Sequence, residues 1–250
     1  MGPHKSPHHI QPHRCPLHEN PLLPNAKLKE LYALMQRARA LGKAPASAPR
    51  FEAILGATLM HIGPGDFVSP PPNAPVATLL AAERTATGKK SAPAAALPPT
   101  QRLATAAGVA QGLKLANPGR FAVIYTDAGR PETGWQEALA YATTARLPLI
   151  LVVAGIETPR ASNPKAITWP SLSKLAKKLR LPILTVDGTD AVAVYRVMQE
   201  SAHRARLGDG AAVIWCALPA KTSAATDPIR NMQTYLTARH LLPASNKNRR

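Results

Sequence analysis

RFAVIYTDAGRPETGWQEALAYATTARLPLILVVAGIET, residues 120–158, holds two short apolar runs on either side of an amphipathic segment. Phe121 to Tyr125 predicts a buried strand, and the turn Thr126-Asp127-Ala128-Gly129 follows it. Glu132 to Arg146 predicts a helix, and Leu149 to Val153 a second strand. Strand, turn, helix and strand at this length form a βαβ unit, and such units build parallel sheets with helices on their faces. Ligands of open parallel sheets bind beyond the carboxyl ends of the strands. Asp127 is placed at such an end, just before a helix N-terminus. There a carboxylate can hold a cation, and free helical N–H groups can hold a phosphate.

Outward from this unit the same alternation continues. Upstream, Thr100 is positioned to cap a small-residue helix reaching Leu115, in which Ala106, Ala107, Gly108 and Ala110 allow close packing. Asn25 is positioned to cap a helix from Lys27 to Leu41 with Leu28, Leu31, Leu34 and Met35 on one face and Gly42 as its stop. Further helices are predicted near Phe51 to His61 and from Val76 to Thr85. Downstream, a basic helix from Ser171 to Arg180 precedes a strand, Leu181 to Val186. The reading divides the chain into a disordered His/Pro-rich tail (1–24), one α/β domain (25–243) and a basic tail (244–250).

The chain of 250 residues suits one domain with a sizeable core. No apolar run approaches the roughly 20 residues that span a bilayer, and the polar N-terminus lacks a secretory signal, so the expectation is a cytoplasmic protein without a membrane role. Cys15 and Cys216 imply no disulfide framework; Cys216, in a strand-like run, is expected as a buried thiol. The net charge of +17 raises nucleic-acid binding. The basic residues, however, are spread over helix faces (Lys27, Lys29, Arg37, Arg39; Lys174, Lys177, Lys178, Arg180) without interleaved aromatics. A solvated basic surface facing an acidic partner is the better reading. His4, His8, His9, His13, Cys15 and His18 match no zinc-ligand spacing among so many prolines. His61 reads as a packed histidine.

Several runs carry a family resemblance. Thr126-Asp127-Ala128-Gly129, Glu132, Trp135, Glu137-Ala138-Leu139 and Leu147-Pro148 resemble, in order, the Gly-Asp-Gly-Ala, Glu, aromatic, Glu-Ala-Leu and Leu-Pro frame of one family. These are the alpha subunits of thiamine-diphosphate-dependent 2-oxo acid dehydrogenase first components, of the pyruvate and branched-chain type. Val186-Asp187-Gly188-Thr189-Asp190, Ala193-Val194-Tyr195 and Ala205 to Gly210 continue it, and Asp227-Pro228-Ile229 resembles a later helix start. The resemblance implies a three-layer αβα thiamine-diphosphate-binding fold with a mostly parallel sheet. It also implies a beta-type partner subunit in a hetero-oligomer, with a homodimer as the alternative, and oxidative decarboxylation with acyl transfer to lipoamide.

Carried over residue by residue, the resemblance assigns Asp127, Ala128 and Gly129 to the cofactor. Asp127 and the carbonyl of Thr158 are assigned to magnesium. Ile156 stands where the family's metal-binding asparagine is expected, and a hydrocarbon side chain cannot coordinate a hard cation. Pro72-Asn73-Ala74 stands where the family has an active-site histidine. Residues 88–99 and 219–226 replace longer active-site loops. Asp187 and Asp190 read as a turn residue and a helix cap rather than as acids of a reaction. The sequence therefore predicts an alpha-subunit-like protein with a degenerate active site, or a non-catalytic scaffold or regulatory subunit of the same complex.

Overall fold

Five parallel strands form the middle layer, in the order β1-β2-β3-β5-β4. They are β1 (Phe67–Ser69), β2 (Ala122–Asp127), β3 (Leu149–Ile156), β4 (Ile183–Asp187) and β5 (Ala212–Leu218). The helices are α1 (Asn25–Leu41), α2 (Glu52–Leu59), α3 (Arg102–Ala116), α4 (Trp135–Thr144), α5 (Trp169–Leu179), α6 (Ala191–Leu207) and α7 (Pro228–Ala238). The computed structural model describes residues 23–42, 50–70, 80, 83, 102–116, 118–156 and 166–242.

The central strand β3 is buried on both faces, which is why Leu149 to Val153 reads as an unbroken apolar run rather than an alternation. Alternate residues still face opposite layers. Leu149, Leu151 and Val153 pack with α3, α4 and α5 around Leu103, Leu139 and Leu172. Ile150, Val152 and Ala154 pack with α1, α2, α6 and α7 around Leu31, Ile54, Met198 and Leu236. Each fully buried Leu, Ile or Val contributes about 1.5–3 kcal/mol relative to exposure, so β3 is the main seam between the two layers. The predicted three-layer αβα fold with a parallel sheet is what forms.

Topology follows from handedness. The chain advances from β1 through β3 to the far edge strand β4, and α3, α4 and α5 lie on one face along that path. It then steps back to β5, and a right-handed connection made in the reverse direction requires α6 on the opposite face. Successive connections from the neighbouring strands β3 and β5 thus leave on opposite faces, through α5 and α7. A crevice opens at the carboxyl ends of such a pair.

Local differences from the sequence reading have physical causes. The helix of the central unit starts at Trp135, not Glu132, because Glu132 turns inward to a buried partner and Gly134 takes a left-handed φ of 71°. Asn25 lies inside the first turn of α1, which follows Pro24, and Gly42 ends that helix in an extended conformation. Strands β2 and β3 run on to Asp127 and Ile156. The basic helix starts at Trp169, where Thr168 and Ser171 form a capping box. Leu80 and Glu83 are helical as expected of Val76 to Thr85. The rest of that helix, Thr100, Thr158 and the His-rich tail lie outside the described residues. Among the described residues, no helix is long and apolar enough to cross a membrane.

Candidate functional site

The carboxyl end of the sheet is built on a buried ion pair. Arg102 is the one cation in the first three turns of α3, and its side chain is 2% exposed against 3% for Glu132. Its Nη1 donates to Glu132 Oε1 at 2.6 Å. Its Nη2 donates to the carbonyls of Tyr125 at 2.6 Å, Pro70 at 2.7 Å and Ser69 at 3.2 Å. The Thr126 hydroxyl donates to the same Glu132 oxygen at 3.0 Å. One guanidinium therefore ties the ends of β1 and β2 to the loop that leads into α4. Burial pushes the Glu132 carboxyl above its ordinary range, with Arg102 pulling against it. Burial likewise lowers Arg102. Breaking such a pair leaves an uncompensated buried charge, at a cost of about 3–5 kcal/mol.

Asp127 closes β2, one residue beyond this network. Its side chain is 22% exposed and meets Arg130, whose Nε and Nη2 lie 3.1 and 3.0 Å from the same Oδ2. The turn between them is held by the Arg130 N–H donating to the Asp127 carbonyl at 3.2 Å. Ala128 N–H donates to Ala154 O at 2.8 Å, and Gly129 N–H donates to Ile167 O at 3.0 Å. Gly129 takes a φ of 81°, which a side chain would oppose. Helix α4 begins eight residues after Asp127, so its N-terminus is not directly behind the carboxylate as the sequence suggested.

The remaining positions of this end face different layers. Asp127 pairs in register with Ala154, and Ile156 pairs with Leu218 of β5. Ile156 packs against the layer of α1, α2, α6 and α7. Gly155, one residue earlier, lies under the Trp215 ring, which a Cβ there would strike. Trp169 packs against Trp215 with ring centroids 5.2 Å apart and planes tilted by 59°. The two rings thus meet on the side of the sheet that packs with α3, α4 and α5.

Of the residues singled out in the sequence, Asp127, Ala128 and Gly129 are together at the end of β2, and Thr158 lies outside the described residues. Asp187 accepts from the Thr189 N–H and hydroxyl, both at 2.8 Å, a turn arrangement. Asp190 caps α6 through the Val192 and Ala193 N–H groups. Cys216 is buried, and burial pushes its thiol up to about 12. Arg102, Arg130 and Trp215 were missed. Arg102 had a signal, as a lone cation in an otherwise Ala- and Leu-rich segment. Arg130, three residues after an aspartate in a turn, had a weaker one.

Comparison with known proteins fixes the lineage. A sequence model described as Dehydrogenase E1 component matches residues 83–218, more than half of the chain. The chain belongs to the dehydrogenase E1 component family. It is 36% identical over 113 residues to the pyruvate dehydrogenase E1 component subunit alpha of Staphylococcus epidermidis, covering 43% of this chain and 30% of that protein. The Staphylococcus aureus protein of the same description is 35% identical over 114 residues, covering 44% of this chain and 30% of the relative. The matched segment of this E1 family member is thus under a third of each relative's length. In structure, a transketolase of Pichia stipitis superposes with a TM-score of 0.51 at 16% identity, over 78% of this chain and 36% of that one. At that identity the likeness concerns the fold alone. Within the E1 family the chain is alpha-subunit-like.

Proposed function

We propose that this chain serves as an alpha-type subunit of a thiamine-diphosphate-dependent 2-oxo acid dehydrogenase first component, and acts there as a non-catalytic scaffold for a beta-type partner. The supporting observation is the carboxyl end of the sheet. The strands, the turn and Asp127 are retained, but the groups that would face magnesium diphosphate are engaged elsewhere. Magnesium takes a near-ideal octahedron of oxygens. Here the carboxylate of Asp127 already faces a guanidinium, and Ile156 presents carbon to the core. Ala128 and Gly129 spend their N–H groups on carbonyls. These residues do not fit a magnesium diphosphate as they stand.

Thiamine diphosphate, when bound, supplies the carbanion chemistry of decarboxylation, and the protein supplies binding and orientation. In this reading the chain's residues contribute neither. They hold a sheet and leave a family surface for the partner. A second reading keeps the cofactor, with the partner chain supplying ligands. It is favoured by the partial exposure of Asp127.

The test is to purify the tagged chain from its native cell, then identify co-purifying chains and measure bound thiamine diphosphate. A stoichiometric beta-type chain without cofactor dependent on Asp127 is the expected result. No such partner would overturn the scaffold reading. Stoichiometric cofactor that disappears in Asp127→Ala would establish the second reading in its place.

A further inference from the structure

We propose that Arg130 is a built-in counter-ion that takes the place of a divalent cation on Asp127 and excludes metal diphosphates from this end of the sheet. The inference deepens the non-catalytic reading and rests on it.

The geometry carries it. Two nitrogens of Arg130 approach a single oxygen of Asp127, Oδ2, at 3.0 and 3.1 Å. A turn of four residues, Asp127 to Arg130, closed by its own backbone hydrogen bond, delivers the guanidinium there. The pair therefore forms at the effective concentration of a short loop, whereas a free ion must be recruited from solution. A guanidinium keeps its charge at any working pH and hydrates weakly, so neither proton loss nor hydration draws it off the carboxylate. A divalent ion arriving at Oδ2 would meet that charge at contact distance.

Among the described residues, the surroundings offer no way around the exchange. Ala128, Gly129 and Arg130 all donate their N–H groups to carbonyls, so the turn offers an incoming phosphate none of those amides. Glu132, the other carboxylate of the loop, has its Oε1 bonded to Arg102 and Thr126. Among the described residues, no three His, Cys, Asp or Glu side chains gather as a ligand set.

The test uses the full chain, with Mn²⁺ as probe, titrated with and without thiamine diphosphate and read by the spin-resonance signal of free Mn²⁺. Wild type and Arg130→Lys are expected to show no Mn²⁺–thiamine diphosphate binding that Asp127→Ala abolishes. Arg130→Ala and Arg130→Gln are expected to gain at least about tenfold in affinity, and the gain is expected to vanish when Asp127→Ala is added. Wild type binding that depends on Asp127 would overturn the proposal. So would an absence of gain in both variants when their urea unfolding matches wild type. Capture of the beta-type chain is followed in the same preparations. Its loss from wild type and variants alike would count against the scaffold reading, and metal binding by wild type with the partner retained would count against Arg130 alone.

Discussion

Asp66 and Asp127 each face an arginine, at opposite ends of the same sheet, and they are held very differently. The Asp66 side chain is 0% exposed. It accepts from Arg206 at 3.1 and 2.7 Å, from the Phe121 N–H at 3.2 Å and from the Gly63 N–H at 2.9 Å. Arg206 also donates to the carbonyls of Gly119 and His61 and lies 4.4 Å over the Phe121 ring. Both carboxylate oxygens are used, and the elements joined lie 140 residues apart in sequence. Among the described residues, the Asp127 side chain is bound, by contrast, to a single neighbour three residues away, and that neighbour is 39% exposed. The amino end of the sheet is fastened, and the carboxyl end carries a pair that can be exchanged without disturbing the fold.

Of the two aspartates, Asp66 is therefore expected to give the larger effect. Asp66→Ala strands the partly buried Arg206 and orphans the Phe121 and Gly63 N–H groups, so stability should fall by about 3–5 kcal/mol. Urea unfolding followed by circular dichroism measures it. A loss below about 1 kcal/mol would mean that the two ends are alike and that the comparison fails.

That contrast also marks how far the sequence could be read. The βαβ unit from Phe121 to Val153 was legible because a doubly covered parallel strand must be apolar throughout. The cap at Asp190 was legible because a carboxylate before a helix satisfies N–H groups within three residues. Helix-terminal chemistry is local, and so is strand patterning. The start of α4 was not legible, because Glu132 is pulled inward by Arg102, thirty residues upstream. Nothing in the local pattern around residue 206 announces Asp66. Of the candidate site, the position of Asp127 followed from the strand–turn pattern. Its occupation by Arg130 depends on turn geometry, and the placement of Trp215 over Gly155 depends on strand order, which periodicity does not encode.

His61 sharpens the comparison from the fastened end. Its carbonyl accepts from Arg206, and its ring packs on Tyr195 with centroids 4.3 Å apart. Burial, with Arg206 and Lys27 adding repulsion, lowers its imidazole to about 4. Unfolded, the ring titrates near 6.5. Between those values the unfolded chain binds the proton and the folded chain does not, so stability should rise with pH across that window and level off above it. The full span is about 3 kcal/mol. His61→Phe should remove this slope while keeping the ring contact. Stability measured by urea unfolding at pH 4.5, 5.5 and 6.5 tests it, and an unchanged slope in the variant would take His61 out of the account.

Asp127 should give the smallest effect. An ion pair with one half-exposed partner contributes about 0–1 kcal/mol, and salt screens it further. Asp127 caps no helix, and the Ala128 and Gly129 amides are satisfied by strand and loop carbonyls rather than by its carboxylate. Asp127→Ala should therefore leave the urea midpoint within that margin, with Arg130 released to solvent. A loss comparable to that of Asp66→Ala would show that Asp127 fastens the fold after all, and its presence would then need no history of metal binding to explain it. A near-silent substitution leaves the opposite inference. A carboxylate at the end of a sheet strand that contributes little to stability and is matched by an arginine is what the proposed exclusion of metal requires.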